Sequence, residues 1–159
     1  MISAVTKSAS DTQALGEAFS SVLVAGDVVL LLGDMGAGKT TFVKGLGKAF
    51  GVDEPITSPT FVLLHTYDGK MPLHHADLYR LDQLDEVLEL GIMELVENGV
   101  ALIEWADRGL PAFPSDVLHI EFAYDEADES VRHFTFRSMG ESWTNREPQL
   151  VESLGRWSK

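Results

Sequence analysis

The amino-acid sequence predicts an α/β fold with a mixed sheet, in which a parallel centre is bordered by antiparallel strands and flanked by helices. Residues 28–32 and 100–103 are apolar at every position, which is typical of parallel strands buried on both faces. A glycine-rich turn follows the first of these segments and leads into a segment with helical spacing of apolar residues. Two pairs of strand-like segments joined by turn residues predict antiparallel hairpins.

The helices are predicted from caps and from the spacing of apolar residues. The first helix is expected to begin at a capping box formed by Ser10 and Gln13. The second covers residues 40–50, where a glycine follows as a stop signal. Residues 81–96 predict one helix, or two helices with a break near Gly91.

The outer strands are predicted as two hairpins. Residues 61–67 and 73–77 are joined by an Asp-Gly turn, which is a strong hairpin signal. Residues 117–124 and 131–137 are joined by an acidic turn and form the second predicted hairpin. The tail over residues 137–159 has weak helical character and is poorly specified by its own sequence.

Composition limits the class of protein. With 159 residues, 45% of them hydrophobic, the chain has the properties of one globular domain, expected to span residues 1–159. It has no cysteine, which excludes thiolate chemistry and agrees with a reducing cytoplasmic location. No apolar run reaches 18 residues and no basic segment precedes an apolar one at the start, so we expect neither membrane helix nor signal peptide.

The net charge bears on possible partners. The chain has a formal charge of −13, which repels the phosphate backbone of a nucleic acid at long range. We therefore expect any nucleic acid that this protein works on to be contacted mainly by a partner protein.

The glycine-rich turn has the spacing of a phosphate-binding loop. Its sequence is Gly33-Asp34-Met35-Gly36-Ala37-Gly38-Lys39-Thr40, which matches G-x-x-x-x-G-K-[ST] at every fixed position. Glycines allow positive φ angles and close approach, so that backbone N–H groups and the start of a helix can surround a phosphate. Lys39 can reach the β- and γ-phosphates, and the Thr40 hydroxyl is the expected magnesium ligand. The predicted nucleotide-binding residues are Asp34, Met35, Gly36, Ala37, Gly38, Lys39, Thr40 and Thr41.

A loop of this kind needs an acid at the end of a neighbouring strand, which holds magnesium or directs water. Glu104 ends an apolar strand segment and Asp77 ends a less apolar one, and the residues alone leave open which of them directs the water. His74 and His75 shortly precede Asp77. Neighbouring strand residues point to opposite faces, so these histidines cannot chelate one ion together, and we expect hydrogen-bonding roles for them.

Five segments together resemble a known family. They are residues 33–42, Ser58-Pro59-Thr60-Phe61, His75-Ala76-Asp77-Leu78-Tyr79-Arg80-Leu81, Leu90-Gly91-Ile92 and Leu102-Ile103-Glu104-Trp105. In this order and spacing the chain resembles the bacterial TsaE (YjeE) family over about residues 8–124. The loop motif alone is shared by many families, whereas its combination with S-P-T-F, H-x-D-L-Y-R and I-E-W is much more specific.

The resemblance implies a P-loop ATPase that uses ATP and Mg²⁺ and is required for threonylcarbamoyl-adenosine formation in tRNA. It implies TsaB and TsaD as partners, with tRNA contacted only indirectly through that complex. ATP hydrolysis would then support turnover or resetting of the complex. The resemblance carries no implication of membrane association.

The resemblance also assigns roles to matching residues. Lys39 and the loop amides bind phosphates, Thr40 and Glu104 serve the magnesium, and Asp77 is the candidate general base or water-orienting residue. The catalytic set is therefore Lys39, Asp77 and Glu104. Ser58-Pro59-Thr60 is implied to be a switch-like loop close to the γ-phosphate.

Three further segments enter through the same resemblance. Residues 10–12 are implied to lie near the nucleotide base. The turn over residues 125–129 has no basic residue and offers no arginine to the nucleotide. The tail after residue 137 carries no signal of the family.

Two other functions remain open from the sequence. A small-molecule P-loop kinase would need an arginine-bearing lid, and the candidate loops 52–60 and 106–116 offer only Arg108. A nucleotide-sensing assembly subunit would bind ATP but hardly hydrolyse it. A GTPase is disfavoured because the N-K-x-D and D-x-x-G motifs are missing. Since no arginine finger is evident, we expect weak ATPase activity from the isolated chain.

Overall fold

One seven-stranded mixed sheet forms the centre of the computed structural model. The structure describes residues 1–59, 63–81, 83–105 and 113–159. The strand order of the sheet is β1-β7-β6-β2-β5-β4-β3. The four strands β6, β2, β5 and β4 are mutually parallel, whereas β3 at one edge and β7 and β1 at the other pair antiparallel. The predicted parallel centre with antiparallel borders is confirmed. The strands are β1 (Ile2–Thr6), β2 (Val28–Leu32), β3 (Leu64–Tyr67), β4 (Leu73–Asp77), β5 (Val100–Glu104), β6 (Val117–Tyr124) and β7 (Arg132–Met139).

Helices cover both faces of the sheet, and the alternation along β2 shows why. Val29 and Leu31 belong to the larger core beneath one set of helices, whereas Val28 and Leu30 belong to the smaller core on the opposite face. A strand buried on both faces needs apolar residues at every position, which is what β2 has. In the described ranges, no helix has the length and apolar character that a membrane crossing requires. The helices are α1 (Ala9–Phe19), α2 (Lys39–Ala49), α3 (Leu84–Glu89), α4 (Ile92–Leu95), α5 (Glu141–Asn145) and α6 (Glu147–Leu154).

The first helix begins earlier than its predicted capping box. Ser8 is the N-cap, and its hydroxyl accepts a hydrogen bond from the Asp11 N–H at 3.0 Å. The Asp11 carboxylate in turn accepts from the Lys7 N–H at 3.0 Å. The prediction that Ser10 and Gln13 form the cap is therefore wrong. The chain leaves β1 at residue 6, so the first serine after the strand lies where unpaired helix N–H groups need an acceptor.

The predicted hairpins and helix break are present with altered bounds. β3 and β4 pair antiparallel, but five residues join them instead of a two-residue turn, and residues 61–62 of the predicted strand lie outside the described residues. β6 and β7 form the second hairpin.

The segment 81–96 contains two helices, and Gly91 between them has a φ of +66°. The predicted helix 40–50 is confirmed as α2.

The N-terminal strand β1 has no counterpart among the sequence-based predictions. It pairs antiparallel with β7 and forms one edge of the sheet. It contains two hydroxyl residues and only five positions, so its own pattern is weak. The end of the chain lies along this edge, because the Lys159 N–H donates to the Ser3 carbonyl at 3.0 Å.

The C-terminal tail is held by one buried ion pair and by apolar contacts. Arg146, between α5 and α6, donates to both oxygens of Asp27 at 2.7 and 2.8 Å. Its guanidinium also lies 4.0 Å from the centre of the Trp143 ring. Trp143, Leu150 and Leu154 are buried in the larger core. The tail that the sequence leaves weakly specified thus covers the outside of α1.

Two glycines bring α1 and α2 into backbone contact. A Cβ atom on Gly16 would lie 2.1 Å from the Phe42 carbonyl oxygen, and one on Gly45 would lie 1.8 Å from the Gln13 carbonyl oxygen. Neither position leaves room for a side chain. The contact therefore sets where α2 lies and, with it, the loop that precedes α2.

We predict that Gly45→Ala destabilises the protein by about 1–3 kcal/mol, because the added methyl group forces the two helices apart. The loss would outweigh the gain of about 1 kcal/mol that alanine normally brings to a helix. Urea unfolding measures the difference. Gly47→Ala in the same helix is the matched control, since its Cβ meets only the tip of the Ile56 side chain, at 2.0 Å. Equal stability of Gly45→Ala and the parent would contradict the proposed contact.

Candidate functional site

The loop between β2 and α2 turns on glycines with left-handed backbone. Gly33, Gly36 and Gly38 have φ angles of +144°, +79° and +101°. At Gly33 a Cβ would also lie 2.6 Å from the Phe122 carbonyl oxygen, so neither the angle nor the space admits a side chain. The turn delivers the chain directly into the first turn of α2, where unpaired N–H groups and the helix dipole favour an anion.

Lys39, at the first position of α2, is folded back over this loop. Its Nζ donates to the carbonyl oxygens of Gly33 at 2.5 Å and Asp34 at 2.9 Å. It also lies 4.6 Å from the centre of the Trp105 ring. The residue is only 4% exposed. The positive charge is thus held inside the loop, where a phosphate group would meet it.

Tyr124, at the end of β6, supports the loop from outside. Its hydroxyl donates to the Met35 carbonyl at 2.6 Å. A Cβ atom added to Gly36 would lie 2.8 Å from the same hydroxyl oxygen. This bond links the middle of the loop to the end of β6, the neighbouring parallel strand, and the sequence contained no signal for it.

Parallel register places the two candidate carboxylates side by side. Glu104 of β5 is the register partner of Leu31 on one side and of Asp77 on the other. All three residues therefore lie in one row at the carboxyl edge of the sheet, next to the loop that follows β2. Asp77 and Glu104 are 3% and 4% exposed, so neither is a solvated strand-end charge.

Each carboxylate is held by its own hydrogen-bond donor. Glu104 Oε2 lies 2.6 Å from His75 Nε2, a fully buried nitrogen. Asp77 Oδ1 accepts from the Tyr79 N–H at 2.9 Å. The two carboxylates line the same cavity, and each is oriented by a different hydrogen-bond donor.

The side chains of His74 and His75 point to opposite faces of the sheet, as predicted. His74 bridges to α4, accepting from the Thr66 hydroxyl at 2.8 Å and donating to the Leu95 carbonyl at 3.0 Å. Burial lowers the pKa of His74, which keeps it neutral and suits it to this structural bridge. His75 points to the other face, toward Glu104. The prediction of hydrogen-bonding roles is confirmed for both.

Lys39, Asp77 and Glu104 line one cavity of about 330 Å³. It brings together most of the predicted site residues. Asp34 and Ala37 belong to the loop but do not line the cavity, and Thr60, Phe61 and Arg108 lie outside the described residues. The lining residues are Met35, Gly36, Gly38, Lys39, Thr40, Thr41, Ser58, Asp77, Tyr79, Glu104 and Trp105.

The donor groups in this cavity suit magnesium bound together with a phosphate. Thr40, Asp77 and Glu104 offer hard oxygen ligands, which Mg²⁺ prefers. Among the residues that the structure describes, no group of three or more His, Cys, Asp or Glu side chains converges into a metal cage. Mg²⁺ is commonly held by one or two protein oxygens with water and substrate phosphates, so the residues present fit such an ion.

A second cavity of about 220 Å³ lies on the other side of the loop and shares Gly36, Gly38 and Thr41 with the first. Ser8, Ala9 and Thr12 line it, so that of residues 10–12, which the resemblance places near the nucleotide base, Thr12 reaches this cavity. Arg132 also lines it and lies 4.6 Å from the Tyr124 ring centre. The turn 125–129 has no arginine of its own, but Arg132 three residues later lies beside the loop. Sequence reasoning missed it because the pairing of β6 with β2, which brings the β6–β7 hairpin beside the loop, was not foreseen.

Comparison with known proteins identifies the family of this chain. The model of the family "Threonylcarbamoyl adenosine biosynthesis protein TsaE" matches residues 6–134. The chain belongs to the TsaE family. Its relatives in the family include proteins named "tRNA threonylcarbamoyladenosine biosynthesis protein TsaE". The one from Bacillus subtilis is 38% identical over 92% of this chain and 89% of its own length. The one from Nostoc is 44% identical over 70% of this chain and 72% of its own length.

The fold is shared with a solved structure as well. A crystal structure of Bacillus subtilis YdiB superposes with a TM-score of 0.74 at 33% identity, covering 98% of this chain and 97% of that one. The match therefore includes the C-terminal helices, which lie beyond the residues that the family model matches.

If the loop binds phosphate as its geometry suggests, Tyr124→Phe should weaken the binding of Mg-ATP, used as a phosphate-bearing probe, about 2- to 10-fold, because loss of the bond to Met35 frees the loop from its preferred conformation. Calorimetric titration with Mg-ATP measures the change. Tyr67→Phe is the matched control, since Tyr67 is a buried tyrosine whose hydroxyl accepts from the Thr57 N–H, away from the loop. Unchanged affinity in Tyr124→Phe would show that the hydroxyl does not support the loop.

Proposed function

We propose that the chain is a magnesium-dependent ATPase acting in threonylcarbamoyl-adenosine modification of tRNA, together with TsaB- and TsaD-like proteins. One observation carries this proposal. The phosphate-type loop, with Lys39 and Thr40, lines the same cavity as two buried carboxylates on neighbouring parallel strands. Membership in the TsaE family supports the pathway.

The loop side of the cavity supports the binding part of the proposal. Backbone N–H groups of residues 34–41 and the Lys39 ammonium would bind the phosphates of ATP. Thr40 and Glu104 would hold the magnesium ion, which when bound supplies positive charge that neutralises the phosphate oxygens. The nucleoside would extend into the second cavity, between residues 8–12 and Arg132.

Asp77 is the candidate group for activating water. Its carboxylate lines the cavity and is oriented by the Tyr79 N–H. In hydrolysis the water oxygen bonds to the γ-phosphorus while the bond to the β–γ bridging oxygen breaks, giving ADP and inorganic phosphate. Asp77 would accept the water's proton and pass it to solvent or product. Lys39 would stabilise the negative charge that accumulates on the phosphate oxygens.

Charge and cavity lining support the dependence on partners. Of the described residues, no arginine lines the cavity that contains Asp77 and Glu104. Arginines at this place stabilise charge during phosphoryl transfer, so the isolated chain would hydrolyse ATP slowly. The net charge of −13 disfavours direct binding of tRNA by this chain, so the partner proteins would bind the tRNA.

A second candidate function is supported by the same absence of arginine in the described lining. A nucleotide-sensing assembly subunit would bind ATP, join its partners and release almost no phosphate. Both functions predict nucleotide binding. They differ in the amount of phosphate that the assembled complex is expected to release.

Lys39→Ala should weaken Mg-ATP binding about 10- to 100-fold, the effect of removing charged hydrogen bonds to phosphate. Calorimetry on purified protein measures the affinity. Lys44→Ala is the matched control, because Lys44 is exposed on the same helix, and it should leave the affinity within about twofold. Binding that survives Lys39→Ala, or parent protein that binds no ATP, would refute the nucleotide site.

Asp77→Asn should leave ATP affinity nearly unchanged and lower phosphate release by the assembled complex about 100-fold or more, because a general base is removed. Phosphate release is measured with ATP and GTP, with and without the TsaB–TsaD pair, and followed by an assay of tRNA modification. Asp68→Asn, an exposed acid in the β3–β4 loop, serves as control. Negligible release by the parent complex would favour the nucleotide-sensing subunit instead.

A further inference from the structure

A fully buried histidine binds one of the two site carboxylates. His75 is 0% exposed, and its Nε2 lies 2.6 Å from Glu104 Oε2. In the sheet, His75 is the register partner of Leu102, which lies two residues before Glu104 on the same face of β5. The contact is therefore a diagonal cross-strand pair, made inside the core and not at the solvent surface.

The other ring nitrogen shows that packing alone does not explain this histidine. Within the described residues, His75 Nδ1 is buried and has no hydrogen-bond partner. A buried polar atom without a partner is unfavourable, and an apolar residue at this place would avoid it. Since Nδ1 has no acceptor, the proton lies on Nε2, which donates to Glu104. The interaction gained by His75 is thus the bond to that carboxylate.

Its effect on Glu104 follows from the geometry. Glu104 Oε2 is hydrogen-bonded to His75. The other carboxylate oxygen, Oε1, is left to bind a ligand in the cavity that Glu104 lines. The bond also restricts rotation of the Glu104 side chain. Asp77 has its own donor, the Tyr79 N–H, so the histidine acts on one acid specifically.

We propose that His75 is a positioning residue that holds the Glu104 carboxylate in the orientation needed to bind magnesium. This rests on the proposed function, in which Glu104 is a magnesium ligand. Hydrogen bonds to ligating carboxylates typically change metal affinity about 10- to 100-fold when they are removed. His75 does not line the cavity, so it would act through the glutamate.

The test compares His75→Leu, which removes the donor, with His75→Gln, whose side-chain amide keeps an N–H at similar reach. ADP affinity is measured by calorimetry over a series of Mg²⁺ concentrations and in EDTA, so no turnover is involved. His75→Leu should weaken the apparent Mg²⁺ affinity about 10- to 100-fold and leave ADP affinity in EDTA within about twofold. His75→Gln should recover most of the lost Mg²⁺ affinity. His74→Gln controls for substitution of a neighbouring buried histidine.

A second pair of variants separates this proposal from the one on which it rests. Glu104→Ala should weaken the apparent Mg²⁺ affinity at least as much as His75→Leu does, and adding His75→Leu to it should cause no further loss. An unchanged Mg²⁺ dependence in Glu104→Ala would refute the ligand assignment itself. Loss in Glu104→Ala with normal Mg²⁺ affinity in His75→Leu would overturn only the role of His75. Equal loss in His75→Leu and His75→Gln would also overturn it.

A measurement on the parent chain covers the case in which His75→Leu does not fold. In protein with ¹⁵N-labelled histidine, the buried His75 Nε2 proton should give a slowly exchanging NMR signal that shifts on addition of Mg-ADP. The signal should move or disappear in Glu104→Gln, where the charged acceptor is lost. A His75 signal unchanged by both Mg-ADP and Glu104→Gln would overturn the proposal.

Discussion

Parallel pairing of β2, β5 and β4 is the constraint on which the site depends. It aligns Leu31, Glu104 and Asp77 in one row, so that the loop leaving β2 faces two acids from strands distant in sequence. A slip of one residue in β5 would turn Glu104 to the opposite face of the sheet and bury a charge among apolar side chains. Because β2 and β5 are apolar on both faces, their core residues do not distinguish the two registers, and Glu104 at the end of β5 is the residue that makes such a slip unfavourable.

Placing charged groups at the edge of a core requires that each has a partner. Lys39 is held by loop carbonyls, Glu104 by His75 and Asp77 by the Tyr79 N–H. Unpaired, such groups would cost several kcal/mol each and would relax toward one another or toward solvent. These partners hold the two carboxylates and the ammonium at one cavity, where a ligand that carries both phosphate and a divalent cation would meet groups of both charges.

The elements around the loop determine its position from several sides. Gly16 and Gly45 bring α1 and α2 into backbone contact, while Tyr124 binds the loop from β6. The C-terminal helices cover α1, and the buried pair of Asp27 with Arg146 joins them to the start of β2. The loop is therefore supported by parts of the chain that are far apart in sequence. This explains why the helices after residue 139 belong to the architecture of the site without lining either cavity.

The local units of this protein can be predicted from its residues, whereas their arrangement depends on packing between distant segments. The loop 33–40, the two-sided strands and the break at Gly91 follow from residue periodicity and backbone preferences, which act over a few positions. The cap at Ser8, the edge strand β1, and the contacts of Tyr124, Arg132 and His75 did not follow. They depend on strand order and register, which are set by packing across the whole sheet. A histidine in a strand has the same local pattern whether it packs in a core or binds a carboxylate on the neighbouring strand. Only the long-range pairing of β4 with β5 distinguishes the two.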